Sequence, residues 1–146
     1  MIDIQNQKDS RRIDIKKVGV KNIKYPIIVM DRERGTQPVN ATINMYVNLP
    51  HHFKGTHMSR FVEVLNDFRG QINIKTFQTI LEKMRQRLRA QSAHMEIEFP
   101  YFLKKMAPVS KAKSMMEYRC YFTGENSAEK TDFLVGVVVP VTTLCP

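Results

Sequence analysis

The stretch Ala41–Leu49 constrains the fold more than any other part of the chain. Ala41, Ile43, Met45, Val47 and Leu49 alternate with Thr42, Asn44, Tyr46 and Asn48. A period of two marks a β-strand with one face on a core and the other toward water or a partner. Pro50 ends the run. A strand of this kind needs pairing partners at its edges and a covering layer on one face only.

Partners are readable on both sides. Upstream, Ile23–Met30 reads as a strand with Tyr25, Ile27 and Val29 on one side. Pro26 places it toward a sheet edge, and Asp31–Gln37 with Gly35 supplies the turn of an antiparallel hairpin. Downstream, Met95, Ile97 and Phe99 oppose His94, Glu96 and Glu98, and after a basic loop bracketed by Pro100 and Pro108 a second strand follows. There Met116, Tyr118, Cys120 and Phe122 alternate with Met115, Glu117, Arg119 and Tyr121. Thr123–Thr131 is a polar connection, and the valine-rich run Phe133–Val141 reads as a strand buried on both faces or at a subunit contact. The first dozen residues carry no period and are expected to fray or to dock on a partner.

Between the second strand and His94 the period changes. Met58, Phe61, Val62, Leu65 and Phe68 fall at helical spacing, with Gly70 as a stop. Phe77, Ile80, Leu81, Met84 and Leu88 form the stripe of a second helix, whose Lys75, Lys83, Arg85, Arg87 and Arg89 make a solvated basic surface. The order is therefore strand-strand-helix-helix-strand-strand. This predicts an α+β fold, an antiparallel sheet with both helices on one face, within a single module spanning 1–146. Such a sheet has open edges, so oligomerisation is expected.

Composition excludes several classes. Hydrophobic residues at 42% and charged residues at 25% are ordinary for a globular domain. No apolar run approaches the roughly 18 residues that span a bilayer, and the residues after Met1 do not form a signal peptide. A soluble cytoplasmic protein without membrane partners is expected. Two cysteines do not make a disulfide framework, so Cys120 and Cys145 read as free thiols. The net charge of +9 favours an anionic partner, which is nucleic acid, anionic lipid or a small polyphosphate. Walker, dinucleotide, HExxH and paired CxxC motifs are absent, and so is the RRM aromatic motif, which leaves nucleic-acid binding with charge alone in its favour.

Individual residues admit two readings each. Lys54, His57 and Arg60 cluster at the start of the first helix, where free amides, the dipole and a guanidinium suit a phosphate; an ordinary helix start is the alternative. Lys111, Lys113 and Ser114 form a basic turn that either meets a triphosphate or is simply solvated. His51 and His52 suit a surface turn, His94 is expected exposed, and Glu96 and Glu98 are a carboxylate pair or water-facing positions. Cys120 shares the core phase, whereas Cys145 is by composition a small residue at a strand end.

Six segments carry a resemblance. They are Val18-Gly-Val-Lys-Asn-Ile-Lys-Tyr-Pro26, Asn48-Leu-Pro-His-His52, Lys54-Gly-Thr-His-Met-Ser-Arg-Phe61, Phe99-Pro-Tyr-Phe102, Ala107-Pro-Val-Ser110 and Pro140-Val-Thr-Thr-Leu-Cys-Pro146. In this order they resemble the type IB GTP cyclohydrolases, from about Val18 to the last residue. The resemblance implies the tunnelling fold (T-fold), repeated twice in the subunit, with subunits joined into a homo-oligomer, a tetramer, around a tunnel and active sites at interfaces. This chain would be the first of the two modules.

The implied activity is hydrolysis of GTP to 7,8-dihydroneopterin triphosphate and formate, a hydrolase reaction at cyclic amidine C–N bonds that opens folate and pterin synthesis. The resemblance makes Cys145 a metal ligand and catalytic residue, with a divalent zinc, manganese or iron ion activating water for attack at C8. Within that activity Lys54, His57, Arg60 and Lys113, read from the basic helix start and turn, are the candidate substrate-binding residues. The remaining metal ligands and the guanine-binding carboxylate are expected outside these 146 residues, so the chain alone is expected to be inactive. The rivals are a T-fold nitrile reductase of queuosine synthesis and a basic, non-catalytic nucleic-acid-binding module.

Overall fold

The structure, a computed structural model, describes residues 14–144 together with Ile2 and Gln7. Five strands form one antiparallel sheet in sequence order: β1 Ile15–Asp31, β2 Gly35–Leu49, β3 Ser92–Met106, β4 Lys113–Ser127 and β5 Thr131–Val138. Helices α1 (Ser59–Asp67) and α2 (Phe77–Leu88) occupy the connection between β2 and β3. The expected α+β class and the two helices on one face hold. The strands are longer than their alternation suggested, and the valine-rich run read as a strand at Phe133–Val141 pairs as β5, a fifth strand beyond the strand-strand-helix-helix-strand-strand order.

The longest of these extensions has a local cause. Val18 and Val20 face the core, as do Ile23, Tyr25, Ile27 and Val29, so the phase changes between Val20 and Ile23. A register shift at that point, with Asn22 at φ 59°, marks a bulge. Asn22 N–H donates to Asn44 Oδ1 (2.8 Å), which ties down the extra residue. A period-two reading breaks at the bulge and starts the strand at Ile23; the chain starts it at Ile15. The basic loop expected between Pro100 and Pro108 is likewise mostly strand. β3 and β4 pair as far as Met106↔Lys113, and only Ala107–Ala112 turns.

The helices cover one face. α2 buries Phe77, Ile80, Leu81 and Met84, spaced i, i+3, i+4 and i+7, against Met95, Ile97 and Phe122. α1 adds Phe61, Val64 and Leu65. An Asn73 turn leads into α2, with Asn73 Oδ1 accepting from Lys75 and Thr76 N–H. Across the two helices Arg87 bridges Glu63 (3.2 Å) and Asp67 (2.8 Å). Gly70, at φ 74°, lets the chain pass close to β1. Its carbonyl accepts from Ile28 N–H (2.7 Å), and a Cβ there would meet the Pro26 carbonyl oxygen at 2.7 Å.

The β2–β3 ladder runs from Val47↔Ala93 to Thr42↔Glu98. Further along, Pro38 and Pro100 have no N–H to offer. The buried Gln37 side chain substitutes for backbone there. Its Oε1 accepts from Phe102 N–H (2.8 Å), and its Nε2 donates to the Phe102 carbonyl (3.0 Å) and to Asp31 Oδ2 (2.8 Å). Replacing Gln37 with leucine leaves both Phe102 backbone groups unpaired beside a buried side chain. Urea denaturation of Gln37→Leu should show a loss of about 2–4 kcal/mol, one to two unmet hydrogen bonds' worth. A loss under about 0.5 kcal/mol would show that water replaces the amide at no cost.

Candidate functional site

The face without helices carries the ionisable residues. The register aligns Gly19, Tyr46, His94, Glu125 and Asp132 in one row across the sheet. Only glycine fits at position 19, because a Cβ would run into the Met45 carbonyl oxygen. Lys17 lies over the Tyr46 ring, 5.6 Å from its centre. At the far end Lys130 pairs with Asp132 (2.8 Å) and Glu125 (3.6 Å). The next row holds Asn44, Glu96 and Thr123, with Asn44 Nδ2 donating to Glu96 Oε2 (3.0 Å). Lys17, His94, Glu96, Glu125 and Asp132 line a cleft of about 160 Å3.

His94 is not the exposed residue that alternation suggested. Its side chain is 19% exposed, held between neighbours on both flanking strands, with Nδ1 3.8 Å from Glu125 Oε2. Burial lowers its pKa below 6.5, and Lys17 and Lys130 push the same way, against the carboxylates of Glu125 and Asp132. Glu98 meets Arg119 (3.3 Å) at the surface, so Glu96 and Glu98 have separate partners and do not form a carboxylate pair.

The helix-start cluster is only partly assembled. His57 and Arg60 line a recess of about 10 Å3 beside Pro50 and Leu88, room for about one water at most. Arg60 Nη1 donates to the Arg87 carbonyl at the end of α2 (3.1 Å), so its guanidinium already caps a helix. Lys54 is exposed and reaches Gln7 Oε1 (3.3 Å). The α1 start has no side-chain cap, and two of its amides bond inward, Arg60 N–H to His57 O and Phe61 N–H to Met58 O.

Lys113 lies far from this cluster. It opens β4 opposite Met106, whereas the cluster neighbours the Ser92 end of β3, where Gln91 and Ser92 N–H bond Asn48 Oδ1. The 15 residues of β3 separate the two ends, about 46 Å at the usual strand rise. Lys113 therefore belongs to a strand and not to the basic turn expected of it; Lys111, at φ 59°, occupies that turn. His51 sits in an exposed turn and bonds Asp14 Oδ1 (3.1 Å).

Cys120 is buried in the core, as its phase indicated, and burial raises its thiol pKa. Cys145 lies outside the described residues. Among the described residues no three His, Cys, Asp or Glu side chains are placed to hold a metal ion. No helix among them is long and apolar enough to cross a membrane.

The fold and this distribution of side chains define an α+β sheet module, covered by helices on one face and bare on the other. Comparison with protein families narrows that class: residues 1–146 match the model described as Type I GTP cyclohydrolase folE2, and the chain belongs to this family. It is 71% identical over 146 residues to a protein named GTP cyclohydrolase FolE2 from Syntrophus aciditrophicus, covering 57% of that protein. Proteins of the same name from Geobacter sulfurreducens and Syntrophotalea carbinolica are 59% and 56% identical, covered over 56% and 54% of their lengths. The chain thus spans a little over half the length of these curated relatives.

The lowered pKa of His94 gives a signed expectation. Below about pH 6.5 the unfolded chain takes up a proton that the folded imidazole resists. Stability should therefore fall with pH from there until the folded group titrates, and His94→Gln should flatten that part of the curve. In NMR titrations Glu125→Gln should lower the His94 pKa further and Lys17→Met should raise it. Unchanged values in both variants would show that neither charge reaches the ring.

Proposed function

We propose that this chain is the first module of a GTP cyclohydrolase of the IB subtype, which hydrolyses GTP to 7,8-dihydroneopterin triphosphate and formate in folate synthesis. The observation that carries the reading is 71% identity to a FolE2 protein, sustained over all 146 residues. The activity is assigned to a protein of the relatives' full length, cytoplasmic and homo-oligomeric, a T-fold tetramer.

The described geometry supports a site shared between subunits. The His57–Arg60 recess and Lys113 stand at opposite ends of β3, so they cannot grip one triphosphate within a single copy. Lys54 and His57 would meet the phosphates at one end, and Lys113 would serve a site on a neighbouring copy. Arg60 would act mainly by holding α2 in place through the Arg87 carbonyl.

A divalent metal, zinc, manganese or iron, is part of the proposal, with Cys145 as one ligand. It would supply an activated water at the guanine ring. The described residues do not complete a coordination set. A thiolate at Cys145 suits a borderline ion, and the other ligands would come from outside these residues.

Two measurements test the reading. Formate release from GTP should be absent with the 146-residue chain alone and should appear when it is joined to the remainder of the Syntrophus aciditrophicus protein. In that joined protein Cys145→Ala should lower bound metal by at least about tenfold, a ligand-loss effect, with the circular dichroism unchanged. Full turnover by the short chain, or undiminished metal in the variant, would remove Cys145 or the two-module premise. Separately, Lys54→Gln with His57→Gln should weaken GTP binding about tenfold or more while guanosine binding stays level, because only GTP carries the recognised charge. Equal losses for both ligands would assign these residues a structural role.

A further inference from the structure

Two residues near the start of the chain are fastened to the turn that carries Lys54. Asp14 Oδ1 accepts from His51 N–H (2.7 Å) and lies 3.1 Å from His51 Nδ1. The Gln7 carbonyl accepts from Lys54 N–H (3.1 Å), and Gln7 Oε1 accepts from Lys54 Nζ (3.3 Å). Within the 50–54 turn, Phe53 N–H bonds the Pro50 carbonyl (3.0 Å), so the turn holds one amide itself and leaves two to Asp14 and Gln7. An apolar groove of about 540 Å3 beside β5, walled by Met30, Ile74, Leu103 and Val135, is by contrast no place for an anion.

The two anchors differ in what they occupy. Asp14 engages the backbone and ring of His51. Gln7 engages Lys54 at both the amide and the ammonium, which are the two donors this residue could give to a phosphate. Gln7 and Lys54 are both exposed, so burial does not hold the pair together. The acceptor at Nζ is a neutral amide oxygen, and a phosphate oxygen is the stronger acceptor for an ammonium. The contact is therefore one that an arriving polyphosphate can displace, while breaking it still draws on the binding energy.

We propose that Gln7 makes an autoinhibitory contact: it occupies the Lys54 amide and ammonium in the free protein, and a polyphosphate has to displace it to bind there. The inference rests on the reading of Lys54 as a phosphate-binding residue and adds a regulation of that same site. Apparent affinity is then the intrinsic affinity reduced by the fraction of molecules in which Gln7 has let go. Release stops at Asp14, whose bonds to His51 do not involve Lys54. The opposite role for the same contact is to hold Lys54 in place for its ligand, and the two roles differ in sign. Loosening an inhibitory contact tightens phosphate binding, whereas loosening an orienting contact weakens it.

The test is calorimetric titration of the chain joined to the remainder of the Syntrophus aciditrophicus protein, with GTP, inorganic triphosphate and guanosine as probes. Gln7→Ala removes the Nζ partner and should tighten GTP and triphosphate binding about threefold, one exposed hydrogen bond's effect. Gln7→Glu puts a carboxylate against the ammonium, strengthens the contact, and should weaken both ligands about fivefold. Guanosine binding should stay level in both variants, and both effects should vanish in a Lys54→Gln background. Because Gln7 is exposed, neither variant should change the circular dichroism. Unchanged or weaker triphosphate binding in Gln7→Ala overturns the proposal, since Gln7 would then be idle or orienting. A Gln7→Glu effect that persists in Lys54→Gln overturns it too, as repulsion without a contact. Lys54→Gln alone separates the two readings. If it weakens GTP binding while Gln7→Ala has no effect, the autoinhibitory contact fails and the phosphate role stands; if it leaves GTP binding unchanged, the phosphate role fails and the contact with it.

Discussion

The packing of α2 on β3 and β4 is the contact on which the rest of the fold depends. Phe77 sits fully buried at the start of the helix and touches both Phe122 on β4 and Phe133 on β5, and Phe99 on β3 completes the cluster against Phe122. One helix residue thereby packs on two strands directly and on a third through Phe122. An isolated antiparallel sheet with one polar face has little to hold it together beyond its ladder; the aromatic cluster and the Ile80, Leu81 and Met84 stripe supply an apolar layer. α1 is secondary. It packs beside α2 and is tied to it by Arg87 and Arg60, at exposed or half-exposed positions where each ion pair contributes only a few tenths of a kcal/mol.

One-sided covering also decides where function can lie. The helix face is filled, apart from the groove beside β5, so a polar ligand has no entry there. The bare face collects Lys17, Tyr46, His94, Glu96, Glu125 and Asp132 within two adjacent rows. Their charges are largely matched, and burial pulls His94 toward its neutral form, with Lys17 and Lys130 pushing the same way against Glu125 and Asp132.

Much of the fold was legible because one-sided burial writes itself into alternation. The core faces of β2, β3, β4 and α2 follow the periods read from the sequence, with the α2 stripe running from Phe77 to Leu88, whereas α1 buries Val64 with Phe61 and Leu65 and leaves Met58 and Val62 of the stripe exposed. The misses share a cause: a strand that leaves the core keeps its backbone pairing and loses its pattern. Residues 100–106 and 113–117 alternate poorly because neither face is buried there, and the Asn22 bulge resets the phase of β1. Gln37 stood in a stretch read as a turn, although it is buried as backbone's substitute beside two prolines.

The candidate site was less legible, since a site is a matter of register and not of sequence spacing. Nothing local announces that Tyr46, His94, Glu125 and Asp132 fall in one row; that follows only once four strands are paired. Spacing also misleads in the other direction. Lys54, His57 and Arg60 look like a unit, yet Arg60 is spent on a helix carbonyl and the recess it shares with His57 is too small for a ligand. A basic residue at a helix start has two uses, and a neighbouring helix end within reach decides between them: an orphan carbonyl is always present, whereas a phosphate must be brought from outside. With Arg60 committed to the Arg87 carbonyl, the positive charge left open to an anion at this end of the module is chiefly that of Lys54.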